Sequence, residues 1–192
     1  MAARPGTPRD RRRVGRLPGR PRGPGRSLVE VGRLRQLTGE HPGAPDTLAR
    51  ALLLYRRLDQ PDGQAIASTH LGTVKRLVGD HAGALADLAE VLRRFREMGE
   101  RGNEAWALVH YAAAVRDADR TGEALAAYRQ ALDMNRELNK RDDEAAALEG
   151  IGGILLDTGH TTEGTSHLRQ ALDLFRLLGM PPDVARVEDR LK

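Results

Sequence analysis

Apolar residues along this chain follow a helical period, and the helical pattern itself recurs every 40 residues. At positions 88, 91, 92, 95 and 98 they take the i, i+3, i+4, i+7 spacing of one helix face. The aligned columns are Leu48, Leu88, Tyr128 and Leu168; Ala51, Val91, Ala131 and Ala171; Leu52, Leu92, Leu132 and Leu172; Tyr55, Phe95, Asn135 and Phe175; and Leu58, Met98, Leu138 and Leu178. Such a stride predicts stacked helical units that bury one another's apolar faces.

A second apolar stripe precedes each of these helices and contains a large residue followed by a small one. The pairs are Val31–Gly32, Leu71–Gly72, Tyr111–Ala112 and Ile151–Gly152. Polar runs that contain glycine, GDHAG, DRTGE and TGHTTEG, separate the two stripes and indicate tight turns. Each unit is therefore predicted to be a helical hairpin. First helices are expected over 27–38, 63–78, 103–118 and 143–158, and second helices over 43–58, 82–98, 122–138 and 162–178.

The ends of these helices carry recognisable signals. Asn103 and either Asp142 or Asp143 are suitable N-caps, and Gly99 and Gly179 suit the C-terminal ends. Residues 183–192 align with the start of a further first helix, because Ala185 matches Ala145 and Ala105 at the same stride. We expect that segment to cap the stack.

The pattern predicts an all-α superhelix of about four hairpins plus a C-terminal capping helix. The predicted domain covers residues 27–192, with repeats over 27–62, 63–102, 103–142 and 143–182 and a cap over 183–192. The first repeat is the most degenerate, since Arg35 and Pro42 interrupt it.

Charge sets the first 26 residues apart from the rest. They hold nine Arg and one Asp, whereas the remaining residues carry a balance of −4 within a net charge of +4. Proline and glycine interrupt this segment so often that residues 1–26 are predicted to be disordered. An arm of this kind suits nucleic acid or another acidic surface. A linker from a longer protein, or sequence upstream of the true start codon, would have the same composition.

The repeated residues resemble the tetratricopeptide repeat. That family places the large–small pair in the first helix, then a small residue early in the second, here Ala44, Ala84, Ala124 and Gly164. Residues 122–159 are similar to the 40-residue variant found in kinesin light chains. They also resemble the C-terminal arrays of large bacterial transcriptional activators (SARP-like) and of NB-ARC-type ATPases. The family's proline after the second helix is absent.

This resemblance implies a right-handed α–α superhelix whose first helices line a concave groove for a peptide or partner protein. The groove positions that it implies here are Thr69, Thr73, Arg76, Trp106, His110, Ala113, Arg116, Glu149 and Gly153. Trp106 is the only tryptophan, and it either anchors a partner or wedges between repeats.

Nothing in the sequence points to catalysis. There is no phosphate-binding GxxxxGKS-type loop, and Gly150, Gly152 and Gly153 lie inside a helical pattern rather than after a strand. The absence of cysteine excludes disulfides and thiolate chemistry. His70 and His110 share one repeat phase, but no acidic or thiol ligand accompanies them. We therefore expect no enzymatic activity, no cofactor and no metal site.

Arginine also recurs at the repeat stride, at positions 56, 96, 136 and 176. This column is either an anion-binding stripe or a helix flank whose charges pair with nearby carboxylates such as Glu97, Glu137 and Asp133.

Taken together, these features predict a protein–protein interaction scaffold, acting as a regulatory module in transcription or signalling. The alternative is a nucleic-acid-associated factor that binds through the basic segment. No apolar run marks a signal peptide in the first 30 residues, and no stretch reaches the roughly 20 apolar residues of a membrane helix. A cytoplasmic location without membrane association is expected. The sequence predicts neither the identity of the partner nor the oligomeric state.

Overall fold

A computed structural model describes residues 43–192, and these residues form eight α-helices and no strand. The helices are α1 (Ala44–Arg57), α2 (Pro61–Leu77), α3 (His81–Met98), α4 (Arg101–Asp117), α5 (Thr121–Glu137), α6 (Arg141–Asp157), α7 (Thr161–Leu177) and α8 (Pro181–Arg190). The predicted tail over 1–26 and the predicted helix over 27–38 lie outside the described residues.

The seven helices predicted within this range are present, but α1 begins one residue late and the others begin one or two residues early, and the predicted N-caps are wrong. The N-cap residues of α4 and α6 are Glu100 and Lys140, so Asn103, Asp142 and Asp143 lie within the first turns instead. The side chain of Asp80, at the start of α3, does cap its helix by accepting from the Gly83 N–H at 2.9 Å. The prediction for Gly99 and Gly179 is confirmed, since both have positive φ at helix C-terminal ends.

Helices α1 to α7 each end in a turn that recurs every 20 residues. The left-handed residues at these turns are Asp59, Gly79, Gly99, Asp119, Asn139, Gly159 and Gly179. At the turn after α2, the Gly79 N–H donates to the Arg76 carbonyl and the Asp80 N–H donates to the Lys75 carbonyl. This pair of hydrogen bonds is the Schellman motif, which favours Gly, Asn or Asp in the left-handed position. The next helix therefore starts two residues later in a fixed direction.

The repeated columns form the core, as predicted. The column of Leu48, Leu88, Tyr128 and Leu168 is no more than 3 % exposed, and the small column that follows it is equally buried. The last column departs from this pattern, because Leu58 and Leu178 are the C-cap residues of their helices and are 50 % and 39 % exposed. Small residues allow close pairing within a hairpin. A Cβ on Gly152 would lie 2.9 Å from the Gly164 carbonyl of the paired helix.

The stack curves towards its first helices. α2 contacts α4, and α4 contacts α6, whereas successive second helices contact one another far less. The first helices α2, α4 and α6 therefore line the inner face. The predicted cap corresponds to α8, which packs on α7 and buries Val187. Ala185 is exposed although its counterparts Ala105 and Ala145 are buried, since no described helix follows α8.

Candidate partner-binding groove

The structure brings the predicted groove residues of α2 and α4 together around one tryptophan. The Trp106 indole lies between two imidazoles in edge-to-face geometry, with centroid distances of 5.2 Å to His70 and 5.1 Å to His110. Trp106 also packs against the main core cluster and is half-buried. Part of the ring therefore packs between adjacent repeats while another part stays exposed, and a role as a partner anchor remains a prediction.

A chain of hydroxyl groups lies beneath this aromatic cluster. The Thr69 hydroxyl donates to the Ala65 carbonyl, and the Thr73 hydroxyl donates to the Thr69 carbonyl, both at 2.9 Å. The Thr73 oxygen lies 3.1 Å from His110 Nδ1. Because the Thr73 proton is directed at a carbonyl, Nδ1 of a neutral His110 is the donor of this contact, and Nε2 is left as an acceptor.

This arrangement corrects the prediction for two residues. Thr69 is 0 % exposed and Thr73 is 3 % exposed, so both support the groove from below and present no side chain to a partner. Their counterparts in the later repeats have no hydroxyl, and the sequence pattern alone did not reveal their burial.

The environment keeps His110 uncharged. Burial, followed by the nearby positive charges of His70 and Arg76, lowers the pKa of His110 to about 3. His110 is therefore neutral at physiological pH, next to the indole ring of Trp106.

Three charged residues follow along the same face. An Arg76 nitrogen lies 2.6 Å from one oxygen of Asp117, so this ion pair links α2 to α4. Arg116 reaches the other oxygen of the same carboxylate at 3.3 Å. Arg76 and Arg116 thus share one carboxylate, and Ala113 lies half-buried between the aromatic and charged parts of the groove.

The two predicted groove residues on α6 are already engaged by the capping helix. Both oxygens of Glu149 accept hydrogen bonds from Arg186 at 2.6 Å. Gly153 is buried, and the Arg190 side chain lies over it. The same Arg190 side chain donates a hydrogen bond of 2.7 Å to Asp157. Glu149 and Gly153 therefore join α6 to α8 and do not form part of an open surface.

Tyr128 lies in the core, as predicted, and packs against α6 behind the groove. Its ring crosses from α5 over Gly150, where a Cβ would lie 2.7 Å from ring atom Cδ1. Burial raises the pKa of Tyr128, while Arg116, Arg76, Asp117 and Glu149 also act on it electrostatically. In the sequence, Tyr128 differs from the rest of its column only in that tyrosine replaces leucine.

The remaining polar features have simpler roles. Arginines of the repeat column pair with the following first helix or with α8, and the contacts are Arg96–Glu104, Arg136–Glu144 and Arg176–Glu188 at 2.6–2.9 Å. The carboxylates proposed from the sequence as their partners are not the ones used. Within residues 43–192, no three His, Asp or Glu side chains cluster as metal ligands would.

Comparison with known proteins supports the repeat assignment. Residues 63–137 match the family model described as tetratricopeptide repeat. No curated protein matches the sequence significantly. The part of the chain described by the structure contains no helix long and apolar enough to span a membrane.

Several solved structures share the fold at low sequence identity. BtubC from P. vanneervenii is 18 % identical, with a TM-score of 0.69 over 86 % of this chain and 69 % of its own. A Rap protein complexed with competence and sporulation factor is 14 % identical, with a TM-score of 0.76 over 85 % of this chain and 45 % of its own. Kinesin light chain TPR-like repeats from Podosopora anserina are 16 % identical, with a TM-score of 0.63 over 85 % of both chains. These likenesses establish the all-α superhelical fold.

Proposed function

We propose that this protein is an interaction scaffold whose first-helix groove binds a peptide or a segment of a partner protein. The observation that carries the proposal is the half-buried Trp106, which lies on the inner face between the imidazoles of α2 and α4. Tryptophan in a partly desolvated position is a frequent anchor at protein interfaces. The solved Rap protein with the same fold is in complex with competence and sporulation factor, which supports such a role.

A regulatory role belongs to the same proposal. The sequence resembles the repeat arrays of bacterial transcriptional activators and signalling ATPases, in which such arrays serve regulation. On this view the protein works in the cytoplasm, without catalytic activity or cofactor, by holding a partner in transcription or signal transduction.

The decisive experiment compares partner capture by the full chain and by Trp106→Ala. Affinity purification from the native host should enrich partners with the wild type and lose them with the variant, because the anchor is removed. Arg169→Ala, at an exposed position on the second helix α7, is the matched control and should retain them. Melting curves establish that each bait is folded. Equal capture by all three proteins would refute the groove as the binding surface.

The charge of +8 in residues 1–26 favours a second function, namely association with nucleic acid. Binding of this kind weakens steeply as salt rises, because phosphate contacts release counterions. Deletion of residues 1–26 should then abolish DNA or RNA binding in a gel-shift assay while partner capture continues. Equal nucleic-acid binding by the deleted chain would contradict this alternative.

A further inference from the structure

The outward faces of α1 and α7, the first and last of the described second helices, carry the two most exposed large hydrophobic side chains among residues 43–192. Leu53 on α1 is 54 % exposed, and Leu177 on α7 is 65 % exposed. At the two aligned positions, the helices between them have charged residues, namely Arg93 and Glu97 on α3 and Asp133 and Glu137 on α5. The exposed leucines are therefore particular to the two ends of the described stack.

Each of these leucines lies one helical turn from a charged residue, and the two charges are opposite. On α1, Arg57 follows Leu53 by four positions, and on α7, Asp173 precedes Leu177 by four positions. Residues four positions apart lie on the same face of a helix. Among residues 43–192, neither Arg57 nor Asp173 has an ion-pair partner.

The second helices inside the stack use the corresponding positions differently. On α3, Arg93 pairs with Glu90 at 2.7 Å and also with Glu97. On α5, Glu137 pairs with Arg101 of the preceding first helix at 2.8 Å. The charges in these contacts are satisfied within the chain, whereas α1 and α7 each present an unpaired charge beside an exposed leucine.

Shallow clefts at both places leave room for the side chains of another molecule. The cleft on α1 has a volume of about 300 Å³ and is lined by Arg50, Leu53, Leu54 and Arg57. The turn that follows Leu177 borders a cleft of about 450 Å³, whose apolar lining consists of Met180, Pro181, Val184 and Ala185. Both faces can therefore bury apolar side chains beside a charged group.

We propose that α1 of one copy of the chain packs against α7 of a second copy in antiparallel orientation, so that the protein associates head to tail. Antiparallel pairing places Leu53 against Leu177 and Arg57 against Asp173, because the leucine and the charge follow in opposite order along the two helices. Parallel pairing would place each leucine against a charge.

This contact joins two different surfaces, so each pair of copies leaves one α1 face and one α7 face open. Association of this kind continues into a ring or a filament. The inference goes beyond the proposed function, since α1 and α7 are second helices and do not line the groove that contains Trp106.

Sedimentation velocity of the full chain at increasing concentration tests the association, and the average mass should rise beyond that of a dimer. Arg57→Asp or Asp173→Arg alone should weaken association at least about tenfold, because each places like charges together. The double variant should restore association, since the charges are then exchanged. Asp133→Arg, at the position of Asp173 on α5, is the matched control and should associate like the wild type.

A mixing experiment tests whether the two surfaces differ. Leu53→Ser alters the α1 face and Leu177→Ser alters the α7 face, so each variant by itself should stay monomeric. Their mixture should form a one-to-one dimer that grows no further, because one intact α1 face meets one intact α7 face. Val78→Ser, at an exposed apolar position after α2, is the control and should associate like the wild type. Melting curves establish that every variant is folded.

The outcomes separate self-association from partner binding. A chain that stays monomeric at every concentration, or a mixture that behaves like its separate components, would overturn the inference. Association that survives Leu53→Ser but is lost on deletion of residues 1–26 would assign it to the basic segment, and would also overturn the inference. Trp106→Ala should associate like the wild type, so partner capture through the groove stands or fails independently.

Discussion

The phenol ring of Tyr128 occupies the space that a side chain at Gly150 would need. A Cβ at Gly150 would lie 2.7 Å from ring atom Cδ1, well inside the optimal carbon–carbon separation of about 3.5 Å. The same relationship occurs between Tyr55 and Gly63 at the first described hairpin. At these two places the aromatic ring leaves no room for a side chain on the next first helix.

Gly150→Ala should therefore destabilise the protein, although alanine favours helix more than glycine does. We expect a net loss of about 1–2 kcal/mol in the free energy of unfolding, measured by chemical denaturation. Gly122→Ala is the control, because no atom lies within 4 Å of its Cβ position, and it should be neutral or stabilising. Combining Gly150→Ala with Tyr128→Leu should restore stability. A loss that persists in the double variant would contradict the clash.

Asn135 offers a stabilising substitution. It occupies the column of Phe95 and Phe175, is 0 % exposed, and has neither amide atom hydrogen-bonded to the described residues. Asn135→Leu removes two buried polar atoms without a large change in volume. We expect a gain of about 1–3 kcal/mol in the free energy of unfolding. Asn103→Leu, at a half-buried polar position in the first turn of α4, should produce no such gain. No change in Asn135→Leu would show that the amide is satisfied in solution.

Replacing a glycine in a left-handed turn should destabilise the protein through backbone strain alone, without a packing clash. Gly159 has φ of +84°, and a Cβ at this position would meet no atom within 4 Å. Gly159→Ala should still lower the free energy of unfolding by about 1–2 kcal/mol, because an L-residue is strained in this conformation. Asn139→Gly, at the left-handed position between α5 and α6, should raise it by a few tenths up to about 1 kcal/mol. A melting temperature unchanged by Gly159→Ala would contradict the turn assignment.

His110 makes stability depend on pH. Its pKa in the folded protein, about 3, lies below the usual 6.5, so the unfolded chain binds the additional proton between these values. The contribution of neutral His110 is complete above pH 6.5 and declines as the pH falls towards 3. Between about pH 7.5 and 5.5 we expect the wild type to lose roughly 1 kcal/mol more than His110→Gln, after allowance for partial exposure.

Comparing the wild type with His110→Gln cancels the effect of every other titrating group on the free energy of unfolding. Burial, then the neighbouring Asp142, raises the pKa of Asp143 to about 6, so this carboxyl group stabilises the fold as the pH falls and opposes the effect of His110. Both proteins contain Asp143, and the difference between them isolates the histidine. Equal pH dependence of the two melting temperatures would contradict the neutral, buried state of His110.

The sequence by itself determined the helices, the stride and most of the core. Columns such as Leu48 and Leu88 could be recognised because burial in a helical hairpin imposes a local period on the chain. Glycine, asparagine and aspartate mark the turns because left-handed backbone conformations restrict residue type within a few positions. These are short-range effects, so a single sequence contains them.

Only the tertiary structure decided which groove positions face outward. Thr73 is buried against His110, whereas Glu149 and Gly153 lie against α8. Each of these relationships joins residues that are separated by at least 12 positions and depends on how neighbouring helices are offset and tilted. Periodicity fixes which face of a helix is buried, but the pairing of Asp157 with Arg190 depends on how α8 is placed beside α6.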